Sequence, residues 1–174
     1  MKEIFSISGI DIFQRNLNQI VIRSKGDGDL NETIKKETSF DLPSENLKLV
    51  SNDQFLLAKH SFDQWNIIYL KDQKHLSILD FVKNLNSNNE DILASDFSFG
   101  QSYFIISGDK KNFYLNKLTH FDFRSKKFPV NSMAQTLVAR IECSIYHLKD
   151  KYIISCNKSF ENYFKERLID SINI

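Results

Sequence analysis

The chain has 174 residues, 23 of them basic and 22 acidic, for a net charge of +1. That length supports one domain that buries roughly 70% of its unfolded surface without disulfides or metals, and the near-neutral balance argues against a broad electrostatic footprint for nucleic acid or an anionic membrane. No window is apolar for long enough to span a bilayer, and the opening Met1-Lys2-Glu3-Ile4-Phe5 lacks the apolar core of a targeting signal, so a cytoplasmic protein is expected.

Residues 1–16 show no clear period and read as an N-terminal arm on a single domain spanning 1–174. Residues 19–23 form the first strand. Lys25-Gly26-Asp27-Gly28 ends it, and Asp29 caps a short helix through Leu30, Ile34 and Glu37. Gly26 and Gly28 match the first two glycines of a dinucleotide fingerprint, but Asn31 stands where that motif needs a small residue for helix packing, so a plain turn is the better reading. Residues 55–59 and 65–70 form a hairpin around Ser61-Phe62-Asp63-Gln64, followed by an amphipathic helix carrying Leu76, Leu79, Val82 and Leu85 and a polar loop over 84–90. A second hairpin pairs 92–97 with 102–107; Gly108 turns, and Asp109 caps a helix with Phe113, Leu115 and Leu118. The basic run Arg124, Lys126, Lys127 reads as a solvated loop.

The stretch from Phe128 to Tyr146 organises the rest. Leu137, Ala139, Ile141, Cys143 and Ile145 share one face of a strand and Thr136, Arg140, Glu142 and Ser144 the other, with Val138 alone breaking the polar row. A turn at Lys149-Asp150, a strand over 152–156 and a helix bearing Phe160, Tyr163, Phe164 and Leu168 complete a third strand-strand-helix unit. This order predicts an α+β fold of antiparallel sheet with helices packed on one face, as two split βαβ units sharing a sheet.

Candidate chemistry is sparse. Counting outward from Lys149-Asp150 sets Cys143 opposite Cys156, a separation of about 4.5–5.5 Å between Cα atoms that a disulfide can span. Without a secretion signal both thiols are expected to stay reduced and to pack as small apolar groups. His147 is the one further zinc ligand nearby, which is too few. His60, His75, His120 and His147 fall on different elements and compose no Ser/His/Asp set. Asp96, beside Phe97 and Ser98 at a strand end, is the most suggestive carboxylate and caps the following turn equally well. Trp65, the single tryptophan, reads as a core residue with a satisfied indole ahead of a hot spot for a partner.

The run Phe128-Pro129-Val130-Asn131-Ser132-Met133-Ala134-Gln135-Thr136, the strand after it, and Ser159-Phe160-Glu161-Asn162-Tyr163-Phe164 resemble the C-terminal half of the gamma subunit of heterotetrameric sarcosine oxidase. Leu17 to Arg23, Phe62-Asp63-Gln64-Trp65, Asp96-Phe97-Ser98 and Ser107-Gly108 follow in the family's order, so the likeness covers residues 17–170. Ser61-Phe62 and Leu118-Thr119 depart from the Gly-Pro and Gly-Cys pairs common there. The resemblance implies a fold like the folate-binding domain of glycine-cleavage aminomethyltransferases. It implies a non-catalytic subunit that stabilises alpha, beta and delta partners, with FAD, FMN, NAD and tetrahydrofolate on those partners and none on this chain. The assembly would demethylate sarcosine oxidatively to glycine. Trp65, Arg124, Phe128 and Gln135, flanking the matched motifs, are the expected partner-facing residues. The alternatives are a free-standing folate-binding or aminomethyl-transferring protein, and the equivalent subunit of an oxidase or dehydrogenase of another N-methyl amino acid.

Overall fold

The structure, a computed structural model, describes residues 2–7, 9–25, 28–88 and 90–173. In chain order its strands and helices are β1 (Lys2–Ile7), β2 (Ile10–Arg15), β3 (Asn18–Arg23), α1 (Gly28–Thr38), β4 (Leu49–Ser51), β5 (Phe55–Ser61), β6 (Gln64–Tyr69), α2 (His75–Asn88), β7 (Leu93–Asp96), β8 (Gln101–Ser107), α3 (Lys111–Leu115), β9 (Ser132–Val138), β10 (Ile141–His147), β11 (Lys151–Asn157) and, after one 3-10 turn, α4 (Glu161–Asn173). They fall into two compact units where the sequence reading has one domain. A continuous unit is Leu17–Ser98; a split unit joins Met1–Asn16 to Phe99–Ile174.

The continuous unit carries an antiparallel sheet in the order β4-β5-β6-β3-β7. With short β4 set aside, the chain runs βαββαβ and the strands lie in the order of a split βαβ sheet. Alternation makes one sheet face apolar: Ile20 and Ile22 of β3, Phe55 and Leu57 of β5, Ile67 and Tyr69 of β6. Leu30 and Ile34 lie four residues apart on α1, so they share a face and pack on that sheet. Helix α1 ends where the Thr38 hydroxyl donates to Ile34 O at 2.8 Å and Ser39 turns left-handed at φ 65°. Asn31, the fingerprint position, has a structural role: its amide donates to Asp41 at 3.0 Å and its oxygen accepts from Leu42 N at 2.7 Å, pinning the loop after the helix. Gly26 and Asp27 lie outside the described residues.

Two expectations for this unit change. Helix α2 runs through residues 84–88, which the sequence reading gives to a loop, and its buried face is Ile78 and Leu85 flanked by Phe81 and Val82; Leu76 points outward at 73% exposure. The polar tail of the helix is used by Asn86, whose amide donates to Ala94 O (2.9 Å) and accepts from Ala94 N (2.7 Å). A side-chain amide thus stands in for a neighbouring strand along the outer edge of β7. Asn86→Ala is expected to cost about 1–2 kcal/mol by leaving both backbone groups unpaired; an unchanged urea midpoint would remove this role.

Strand β7 also does not form a hairpin with β8. It pairs with β3, because the turn after it is tied there: Phe97 N donates to Gln19 O (2.7 Å), the Ser98 hydroxyl accepts from Gln19 N (3.2 Å), and Asp96 accepts from Ser98 N (3.0 Å). Strand β8 belongs to the split unit, whose antiparallel sheet has the order β1-β2-β8-β11-β10-β9. The two units therefore have a sheet each, not one in common. The central four strands repeat the split βαβ order, with β2 supplied from the front of the chain. Residues 2–15 accordingly form a hairpin instead of an arm, and Ile10 and Ile12 join the core with Phe104, Ile106, Ile145, Ile154, Phe164 and Leu168.

The organising strand is itself two strands. β9 and β10 meet through Ala139 (φ 51°) and Arg140 (φ 67°), both left-handed, as a two-residue type I′ hairpin requires. Val138 therefore faces Ile141 across the ladder and both are buried, while Leu137 is 55% exposed. The one residue that broke the alternation marks the turn. Arg140→Gly is expected to raise stability by about 0.5–1 kcal/mol, because glycine adopts this conformation without Cβ strain; a lowered urea midpoint would show that the arginine side chain contributes more than its backbone costs. Beyond the turn the expected register holds, with Cys143 opposite Cys156, both buried and free.

Candidate functional site

The residues that carry chemistry in the sequence occupy separate, mostly structural positions. His60 sits at a bulge in β5, 7% exposed, with its Nε2 2.9 Å from the Asn66 amide; burial pulls its pKa down to about 4, so it is neutral at pH 7. His147 is buried against Phe128, its Nδ1 2.9 Å from Phe128 O, and burial lowers its pKa too. His75 lies 3.6 Å from Asp96 at the surface, but the other Asp96 oxygen is engaged by the Ser98 backbone and hydroxyl, which is the capping role. Burial raises the pKa of both cysteines, that of Cys156 to about 11, so both are thiols at pH 7. No group of three or more metal-ligating side chains occurs among the described residues, and no helix among them is long and apolar enough to cross a membrane.

The four expected partner-facing residues divide. Trp65 is 3% exposed, its indole N–H donating to Pro43 O at 3.0 Å under the Lys59 ammonium. Phe128 is 2% exposed within an aromatic cluster of Phe121, Phe123, His147 and Tyr152. Neither has surface to offer, because the aromatic side chains that mark the motifs are what hold the motifs in place. Arg124 and Gln135 are exposed, and Arg124 is bound in a two-point ion pair to Asp122, which holds that carboxyl at a pKa of about 2.

What the surface does offer is apolar area and an uneven charge. Large hydrophobic side chains stand in solvent on both units, including Phe62 (77%) and Leu76 (73%) on the continuous one and Phe99 (78%) and Phe113 (62%) on the split one. The net +1 conceals a division: the split unit has 14 basic and 9 acidic residues, the continuous unit 9 and 13. In the split unit a cleft of about 350 Å³ is lined by Lys2, Gln14, Arg15, Asn16, Lys158 and Glu161.

Two α+β units, each an antiparallel sheet with helices on one face, define the class, and solved structures share it. Heterotetrameric sarcosine oxidase from Corynebacterium sp. U-96 has a chain matching at TM-score 0.83 and 17% identity, over 98% of this chain and 87% of that one. Glycine cleavage system aminomethyltransferase T from Bartonella henselae matches at 0.68 and 8%, over 93% of this chain and 46% of that one. The regulatory subunit of aspartate kinase from Thermus thermophilus matches at 0.53 and 7%, over 95% and 99%. No curated protein matches the sequence significantly. The family model described as sarcosine oxidase, gamma subunit family, matches residues 24–173, and the chain belongs to that family.

Proposed function

We propose that the chain is the non-catalytic gamma subunit of a cytoplasmic heterotetrameric sarcosine oxidase, packing on alpha, beta and delta subunits and stabilising them. The observation that carries this reading, given the family, is the exposed apolar surface: twelve large hydrophobic side chains are exposed among the described residues, side chains suited to burial in an assembly. On this reading FAD, FMN, NAD and tetrahydrofolate belong to the partners, which demethylate sarcosine to glycine and pass on the one-carbon unit. Arg124 and Gln135 have the exposure for a partner contact; Trp65 and Phe128 support the motif from within.

The test is to tag the chain in its native host, purify it under mild conditions, and record the mass and visible spectrum of what accompanies it. A yellow complex several times the chain's own mass that oxidises sarcosine is the expected result, and a panel of other N-methyl amino acids then fixes the substrate. A colourless species of the chain's own mass would overturn the reading. The likeness to an aminomethyltransferase favours one second reading, folate binding by the lone chain, and titration of the purified chain with tetrahydrofolate decides it.

A further inference from the structure

The two thiols take no part in the role proposed above. Both lie in the core of the split unit, buried and free. The ladder between β10 and β11 sets their relation. Leu148 N donates to Lys151 O at 2.9 Å, so the pair that closes the turn is a hydrogen-bonded one. From there the register runs without a bulge, from His147 with Tyr152 through Ser144 with Ser155 to Cys143 with Cys156. Hydrogen-bonded and non-hydrogen-bonded pairs alternate along an antiparallel ladder, and the cysteine pair, an odd number of steps from the turn, is of the second kind. Pairs of that kind hold their Cα atoms about 4.5 Å apart with the side chains closest together, inside the span of a disulfide.

The cross-strand row continues with small residues, since Cys143 also faces Thr136 of β9 and Cys156 faces Ser102 of β8. Cys156 is nearer the surface end of its strand, one residue before exposed Asn157 and within electrostatic reach of Lys158 and Glu161.

We infer that Cys143 and Cys156 form an oxidative modification site, a dithiol that a small peroxide closes to a cross-strand disulfide. The Cys156 sulfur attacks one peroxide oxygen and the O–O bond breaks. The departing oxygen leaves as water with the thiol proton, and Cys156 becomes a sulfenic acid. The Cys143 sulfur then attacks the Cys156 sulfur; the S–S bond forms, the S–O bond breaks, and the oxygen leaves as a second water with the Cys143 proton. Two thiols lose two electrons and two protons, and one peroxide becomes two waters. Burial keeps both sulfurs as thiols at pH 7, so closure is slow and the reduced pair is the resting form. The site stands apart from the accessory role, and its test reads neither assembly nor oxidase activity.

The experiment treats the reduced full chain with hydrogen peroxide, once folded and once during refolding from urea. Each sample is then unfolded, alkylated and weighed by mass spectrometry, and a parallel portion is melted. The expected product is a monomer lighter by two hydrogens, with neither cysteine alkylated, restored by dithiothreitol. Its thermal midpoint should lie about 5–10 °C above that of the reduced chain, because the bond constrains the unfolded state. Cys143→Ala should give no internal bond and no gain in midpoint. The refolding sample reads the fit of the pair even where native packing shuts out peroxide, and the wild-type masses stand whether or not Cys143→Ala folds. Two alkylatable thiols after both treatments, oxidation to sulfinic acid without a bond, bridging only between chains, or a midpoint lowered by the bond would each overturn the assignment.

Discussion

Gly108→Ala is expected to destabilise the split unit by about 3 kcal/mol or more, lowering its thermal midpoint by roughly 10 °C. Gly108 ends β8 at φ +104°, a conformation that side chains rarely adopt, and a Cβ there would lie 2.4 Å from Gly9 O and 2.8 Å from Ile10 Cα. Both are backbone atoms, and Gly9 O is already fixed as the acceptor for Lys110 N at 2.8 Å. The only relief is to part β2 from β8, next to the pairing of Asp11 with Ser107. Gly9→Ala provides the control. It has the same kind of backbone strain at φ +95°, but its Cβ would meet the side chains of Asp109 and Lys110, which can swing away. A cost of about 1–2 kcal/mol is expected there. Equal losses in the two variants would mean that the close backbone approach is not what demands glycine.

Stability is expected to fall by about 3 kcal/mol between pH 6.5 and pH 4 because of His60. Its pKa is about 4 in the folded chain, chiefly from burial, against an ordinary value of 6.5. Between these values the unfolded chain holds more protons than the folded one, so stability rises with pH across the window. The contribution is complete above 6.5 and is lost as pH drops toward 4. Protonation also sets a second donor against the Asn66 amide, 2.9 Å away. His147, shifted downward by burial as well, adds to the same window with the same sign. The lowered carboxyls of Asp41, Asp63, Asp122 and Glu161 act only at lower pH, where they must be protonated. Urea unfolding at pH 7, 6 and 5 should therefore give a slope that His60→Gln reduces substantially. An unchanged slope in that variant would assign the acid sensitivity elsewhere.

How far the fold can be read from the sequence depends on the range of the forces that set each element. The pairing of Cys143 with Cys156 follows from a two-residue turn and a period of two, both of them local. The type I′ turn at Ala139-Arg140 lacks the glycine or asparagine that announces such turns, so only the misplaced Val138 betrays it. The pairing of β7 with β3 spans some seventy residues and is decided by Gln19, Asp96 and Ser98, whose bonds have no sequence period. The hairpin of residues 2–15 is legible only once β8 is available to pair with it. Trp65 and Phe128 lie buried in this chain for a related reason: motif aromatics are conspicuous in a sequence whether they face inward or outward. The cleft draws on both ends of the split unit and has no linear signature.

The split architecture also sets an order of events during synthesis. All strands of the continuous unit have left the ribosome once Asp96 has emerged, so that unit can close on itself early. Asp11 must wait for Ser107, and β8 in turn pairs with β11, which starts at Lys151. At translation rates of about 5–20 residues per second, β2 stays without its partner for roughly 5–20 seconds. Ile10 and Ile12 are uncovered for that interval, while the segment between them and their destination is already folding. Nascent chains of this protein thus carry an early β2 strand whose apolar Ile10 and Ile12 await cover beside a neighbour already able to fold.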